Sequence, residues 1–256
     1  MTSTDLPPSK LGTKQHWDGV YSLELSNFQE FGDEGEVWFG EDSVEKMVDW
    51  VQEIVSVDPA PSILEVGAGN GALLFALQEA GYPARSICGV DYSSDAIQLA
   101  RAIGSAKGEN ANLITFEACD FLNEYPRALS GMSTPTATMP QWDLVLDKGT
   151  FDAIALADRD ADGNAPADGY PPRIAEVVKP GGYFLIVCKH ISDQVILLSH
   201  RYSFQACNFT EDELKENFAT PTSSLRYHSR IAFPSFSFGG QSGNVYSGVA
   251  FRKAES

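Results

Sequence analysis

Apolar positions along this chain change period twice. Residues 17–28 place Trp17, Val20, Tyr21, Leu23, Leu25 and Phe28 at spacings that fit one face of a helix. Residues 31–40 are rich in Gly and acids and read as a loop ending in Trp38-Phe39. A second helix follows, carried by Val44, Met47, Val48, Val51, Ile54 and Val55, with Asp42 or Ser43 as its expected cap. Short apolar runs then alternate with helical patterns. Strands are predicted at 62–66, 86–90, 112–117, 142–146 and 182–187, and helices at 72–80, 94–103 and 174–178. This alternation predicts an α/β fold, a doubly wound and mostly parallel sheet with helices on both faces. Residues 231–238 and 245–251 are β-rich and flank a Gly-rich turn, which predicts a C-terminal antiparallel hairpin closing the sheet. Residues 128–140 and 158–172 read as surface loops.

The length, 256 residues, suits one large domain, and no apolar run reaches the roughly 20 residues of a membrane span. Residues 1–10 lack the apolar centre of a secretory signal. Cys88, Cys119, Cys188 and Cys207 form no CxxC pair, so a reduced protein without a zinc site is expected. The compartment expected is the cytoplasm, with the nucleus as a second location. The formal charge of -17 opposes phosphate backbones, so nucleic acid is not the expected partner. Such acidity serves solubility or a basic partner. His16, His190, His200 and His228 are scattered without metal-ligand spacing. Asp158-x-Asp160-x-Asp162-Gly163 opens like a calcium loop, but Gly169 stands where the closing Glu is needed. No metal is expected.

The chemistry concentrates at the strand ends. Glu65-x-Gly67-x-Gly69-x-Gly71, with Ala68 and Asn70 between the glycines, follows a strand and opens a helix. Glycines there permit a tight turn and close approach of a ligand to the backbone. The N–H groups at the helix start favour an anionic group, here the carboxylate of the cofactor's amino-acid part. Glu65 is placed to organise the loop or receive the cofactor's amino group. Asp91 ends the next strand, where an acid accepts from ribose hydroxyls. Asp120 and Phe121 end the third, suited to an adenine amino group and ring. Nicotinamide and flavin fingerprints space glycines G-x-G-x-x-G, without a preceding Glu. The G-x-G-x-G spacing and the terminal hairpin favour S-adenosylmethionine.

Several segments resemble the class I seven-stranded methyltransferases, and more closely the eukaryotic lysine methyltransferases of elongation factor 1-alpha. They are residues 9–14 with Trp17 and Asp18, then 38–40, 63–71, 89–93, 147–154, 180–186, 207–210 and 236–240. They span the chain from near residue 9 to near residue 252. The glycine loop is generic to the class, whereas 147–154 and 11–17 are more specific. The resemblance implies a Rossmann-like seven-stranded sheet, S-adenosylmethionine as cofactor and elongation factor 1-alpha as the protein partner of a monomer. It implies that residues 1–40 form a leader and cofactor cover, with the methyltransferase domain at 41–256. It further implies that Asp147, Lys148, Gly149 and Thr150 line the cofactor and a lysine channel. By the same resemblance Trp38 and Phe39 cover the cofactor, and Tyr92 joins Asp91 in binding it. Asp147 would position the amine or accept its proton through water. The alternatives are a small-molecule methyltransferase, or a non-catalytic S-adenosylmethionine-binding scaffold in trafficking and transport.

Residues 188–205 interrupt this resemblance. Val187-Cys188 can be encoded GTATGT, like a fungal intron start, and Gln205 can be encoded CAG, like an intron end. A retained intron across 187–205 is expected, against a lineage-specific insertion.

Overall fold

The computed structural model describes residues 6–132, 139–189, 209–233, 235–238, 241–244 and 246–255, with only the backbone given for the strands inside 234–245. Its main sheet has the order β3-β2-β1-β4-β5-β9-β6. The strands are β1 (Ile63–Val66), β2 (Ile87–Asp91), β3 (Thr115–Ala118), β4 (Trp142–Lys148), β5 (Val178–Lys189), β6 (Leu225–Ile231) and β9 (Tyr246–Lys253). β1 to β5 pair in parallel, and β9 runs antiparallel between β5 and β6.

Strand alternation divides the core. Ile63, Ile87, Phe116, Leu144 and Leu185 meet α2 (Glu41–Ile54), α3 (Ala72–Glu79) and α4 (Ser94–Lys107) on one face. Leu64, Cys88, Val145, Phe184 and Phe251 meet α5 (Thr150–Ala155), α6 (Tyr170–Val177) and α7 (Glu211–Phe218) on the other. Each fully buried side chain of this size contributes about 1.5–3 kcal/mol. The first helix, α1 (Lys14–Phe31), lies against α4 and buries only Tyr21. It therefore sits on the domain rather than in its core, and Tyr21 is its point of contact with the site below.

Some expected boundaries move. The closing partner of β9 is β6, upstream of the run at 231–238, where Ser235–Phe238 (β7) and Gln241–Asn244 (β8) form a separate small hairpin. β6 buries only Leu225 and Ile231 at its two ends, so it carries no alternating apolar signal. The cap of α2 is Gly40, and Ser43 turns its hydroxyl back to the Gly40 carbonyl at 2.8 Å. The second expected loop ends earlier, because Tyr170 opens α6 with Pro171 and Pro172 in its first turn. Prolines suit that position because the first N–H groups of a helix have no partner inside it. Asp160 uses its carboxylate to close its own turn on the N–H groups of Asp162 and Asn164.

Val187 and Cys188, where the interrupting segment was expected to begin, are buried in β5 and pair with Gly248 and Ser247 of β9. Residues 190–205 lie outside the described residues, as do His190, His200, Cys207 and positions 133–138 of the first expected loop. Among the described residues, no helix is long and apolar enough to cross a membrane.

Candidate functional site

The parallel strands β1, β2, β3 and β4 all end on one side of the sheet, and a cavity of about 360 Å³ opens there. Its floor is the turn from β1 into α3. Gly67 and Gly69 adopt φ of +71° and +54°. A Cβ on Gly67 would stand 1.9 Å from Thr150 Oγ1, and one on Gly69 2.5 Å from the Tyr21 hydroxyl oxygen. Only glycine allows both the left-handed backbone and these approaches. Thr150 Oγ1 donates to the Val66 carbonyl at 2.8 Å, stitching the turn after β4 to the turn after β1.

Asp91 ends β2 and lines the cavity. Its carboxylate accepts from Gly69 N at 3.1 Å and from Ser93 N at 2.9 Å. Burial pushes this acid up to about 6, against the pull of those two hydrogen bonds. Tyr92, Asp120 and Phe121 line the cavity next to it. Asp120 accepts from Leu122 N at 3.2 Å and from the Asn123 amide at 2.8 Å, which fixes the loop after β3.

The end of β4 departs from expectation. Lys148, Gly149 and Thr150 reach the cavity wall, but Asp147 is fully buried behind it. One oxygen of Asp147 accepts from Thr150 N at 2.7 Å; the other accepts from Phe151 N at 3.0 Å and the Tyr170 hydroxyl at 2.7 Å. It caps α5 and ties it to α6, with no face toward an incoming amine. Glu65 and Gly71 also lie off the cavity surface. Gly71 caps α3 against Phe116 and Phe75, and Glu65 is buried with its Oε2 unpartnered. Burial pushes the Glu65 acid up to about 8, with the nearby Lys148 ammonium opposing that shift. Burial lowers Lys148 from its ordinary range while Glu65 and Asp147 hold it up. Lys148 Nζ donates to the Trp38 carbonyl at 2.9 Å.

That bond leads to the roof, formed by Leu11, Gly12, Lys14, Trp17, Tyr21, Trp38 and Phe39. Trp17 Nε1 donates to the Leu11 carbonyl at 2.6 Å, and its ring meets Trp38 edge-on with centroids 4.8 Å apart. Phe39 takes a positive φ of 68° and presses its ring onto Gly149, where a Cβ would be 2.7 Å from it. Asn70 hangs the preceding loop from the floor, donating to the Glu34 carbonyl at 3.0 Å. Trp38 and Phe39 are thus brought to the cavity, as are Gly67, Ala68, Gly69 and Asn70.

Sequence reading missed the roof residues Leu11, Gly12, Lys14, Trp17 and Tyr21, and the wall residues Ala153, Ile154, Ala157 and Pro166. The specific stretch at 11–17 was the available signal for the roof. Helical spacing at 17–28 instead read as ordinary packing. At the loop itself most of the amides already have partners. The N–H groups of Gly67 and Ala68 go to the Val90 carbonyl, that of Gly69 to Asp91, that of Gly71 to the Ala68 carbonyl and that of Ala72 to the Asn70 side chain. The turn closes on itself rather than offering these amides to an anion.

The arrangement suits S-adenosylmethionine. Carboxylates stand at successive strand ends, the glycine cradle excludes side chains, and aromatic rings cover it. Among the described residues no cluster of His, Cys, Asp and Glu has the makings of a metal site.

Comparison with known proteins agrees. A family model described as a methyltransferase domain matches residues 58–225. The protein-lysine N-methyltransferase efm4 of Schizosaccharomyces pombe is 38% identical, over 96% of this chain and 95% of its own length. The human EEF1A lysine methyltransferase 2 is 36% identical, over 96% of this chain and 88% of its own. Among solved structures, the magnesium protoporphyrin IX methyltransferase of Synechocystis PCC 6803 with bound SAH superposes with a TM-score of 0.60, covering 93% of this chain and 97% of that one at 12% identity. The N-methyltransferase NodS of Bradyrhizobium japonicum WM9, also with SAH, gives 0.57 at 15% identity, over 93% of this chain and 99% of that one. Identities this low speak to the fold alone.

Proposed function

This chain belongs to the S-adenosylmethionine-dependent methyltransferases, within the elongation factor 1-alpha lysine methyltransferase family, and we propose that it methylates a lysine side chain of elongation factor 1-alpha. The observation that carries this reading is identity of 38% and 36% to protein-lysine methyltransferases over 96% of the chain.

The cofactor supplies a methyl group made electrophilic by its sulfonium. The protein's task is then to hold two reactants in line and keep water out. Asp91 holds the ribose as acceptor, and Asp120 with Phe121 receives the adenine. Gly67 and Gly69 let the cofactor lie against the backbone. Lys148 fixes Trp38 in the roof, where it would cover the bound cofactor, and Gly149 receives the Phe39 ring.

A free lysine has a pKa of about 10.4 and must arrive neutral to attack. Asp147 is sealed, and the carboxylates on the cavity surface, Asp91 and Asp120, belong to the nucleoside end. We therefore assign the loss of the proton to desolvation among Trp17, Trp38 and Phe39, which disfavours the charged amine. Asp147 is a positioning residue in this reading. A translation factor as substrate supports a cytoplasmic place for the enzyme, with the nucleus as a second location. One chain encloses the cavity, which supports a monomer as the working unit.

The test is transfer of isotope-labelled methyl from S-adenosylmethionine to purified elongation factor 1-alpha, with the site read by peptide mass spectrometry. Label on one lysine is expected. Label confined to small metabolites of a lysate overturns the protein substrate.

A further inference from the structure

Tyr21 is the only residue of α1 that the domain buries, at 6% exposure, and it borders the cavity. Its ring is fixed by Trp17, stacked at 6.2 Å with 26° between planes. Its hydroxyl overhangs Gly69, at 2.5 Å from where a Cβ would stand. That hydroxyl makes no hydrogen bond among the described residues. A phenol held this firmly, with no partner from the protein, leaves its hydroxyl hydrogen for a ligand in the cavity.

S-adenosylmethionine carries one anionic group, the carboxylate of its amino-acid part. This carboxylate must be met by donors, and the floor beneath it is hostile. Asp91 stands in the floor and repels it when ionised, and the amides of Gly67, Ala68, Gly69, Gly71 and Ala72 are already bonded within the protein.

Several other donors around the cavity are also committed. Trp17 Nε1 serves the Leu11 carbonyl, Asn70 the Glu34 carbonyl, Asn123 serves Asp120, Lys148 the Trp38 carbonyl and Thr150 the Val66 carbonyl. Lys14 is paired with Asp18 at 2.7 Å. Tyr92 follows Asp91 directly, on the ribose side of the cavity. Among the described roof residues, Trp38 Nε1 and the Tyr21 hydroxyl have no protein partner, and of these the Tyr21 hydroxyl overhangs Gly69.

We propose that the Tyr21 hydroxyl donates a hydrogen bond to the cofactor's carboxylate, making α1 a cofactor-binding element. Burial, with Asp91 and Glu24 close by, drives the Tyr21 phenol well above its ordinary range, so it stays protonated and acts only as a donor to an anion. The bond also gives the cofactor a means of ordering the roof, since Trp17 stacks on Tyr21 and Trp38 meets Trp17 edge-on. The proposal rests on the methyltransferase reading of the same cavity.

The experiment is calorimetric titration of the full chain and of Tyr21→Phe, which keeps the ring and its stacking. S-adenosylhomocysteine carries the carboxylate, and methylthioadenosine lacks the amino-acid part. A bond from a neutral donor to a charged acceptor predicts binding of S-adenosylhomocysteine weakened by about tenfold or more in Tyr21→Phe, with methylthioadenosine changed by less than about twofold. Equal weakening of both ligands places the hydroxyl on the nucleoside and overturns the assignment. No weakening of either also overturns it. Should Tyr21→Phe fail to fold, fluorotyrosine at position 21, a stronger donor, is expected to tighten S-adenosylhomocysteine alone, and an equal response of both ligands overturns the proposal. Failure of the unaltered chain to bind either ligand removes the cofactor reading itself, a result separate from all of these.

Discussion

The floor and the roof of the cavity are built by different rules. The floor is backbone: two glycines with positive φ, strand ends in parallel register, and carboxylates whose partners are main-chain N–H groups. The roof is side chain: Trp17 stacked on Tyr21 and met edge-on by Trp38, with Phe39 pressed onto Gly149, hung from the floor by Asn70 and Lys148. A floor of backbone recognises what every enzyme using this cofactor shares. At 12% to 15% identity, the magnesium protoporphyrin IX methyltransferase and NodS keep the fold.

The largest effects are expected in the floor. Gly67→Ala places a Cβ at 1.9 Å from Thr150 Oγ1 on a backbone with φ of +71°. It should lower stability by about 2–3 kcal/mol in urea unfolding and weaken cofactor binding at least about 100-fold in calorimetry. A near-neutral result would mean that the turn relaxes, and the floor would not be the rigid half.

Next comes Asp147, whose carboxylate serves two helix-starting amides and one hydroxyl. Asp147→Ala strands all three and should cost about 2–4 kcal/mol of stability, while Asp147→Asn keeps an acceptor and should lose about half as much. Thermal unfolding and turnover measured side by side separate the roles. If Asp147→Asn kept full stability yet lost turnover, a direct part for Asp147 in the chemistry would return.

The third test uses pH. Asp91 accepts from ribose hydroxyls more strongly when ionised, and burial raises its acid to about 6. Affinity for S-adenosylhomocysteine should therefore rise by about tenfold from pH 5 to pH 7, and Asp91→Asn should flatten the curve. Without cofactor the sign reverses. The folded state holds this proton more tightly than the unfolded chain, so its contribution to stability is present at low pH. It is lost as pH rises from the ordinary 3.8 toward about 6.

The smallest effect falls in the roof. Trp38→Ala should lower kcat on the protein substrate by about tenfold while shifting cofactor affinity less than about threefold. Loss of cofactor binding as severe as in Gly67→Ala would erase the distinction between the two halves.

The same contrast governs what could be read in advance. The floor follows from local rules: a buried strand, a glycine-rich turn and a helix leave their mark in consecutive residues. Asp91 and Asp120 were legible because they end strands. The roof depends on residues 11–39 folding over residues 67–150, and no local period carries that. Asp147 shows another limit. A carboxylate after a strand reads the same whether it faces a ligand or caps a helix, and only the position of the Tyr170 hydroxyl decides. Helix α7 had a signal that went unread, the reciprocal cap of Thr210 and Glu213, but it buries only Leu214 and Phe218. Such a narrow apolar stripe is weak beside the capping chemistry.

Strand β6, so poor in apolar residues, has one more consequence. It is the last strand of the sheet, and a bare edge invites a second molecule to add its own strand. Here Arg226, His228 and Arg230 stand exposed along it, and its register breaks between Tyr227 and Ser229. The features that hid the strand from its pattern also make it a poor template for a second molecule's strand.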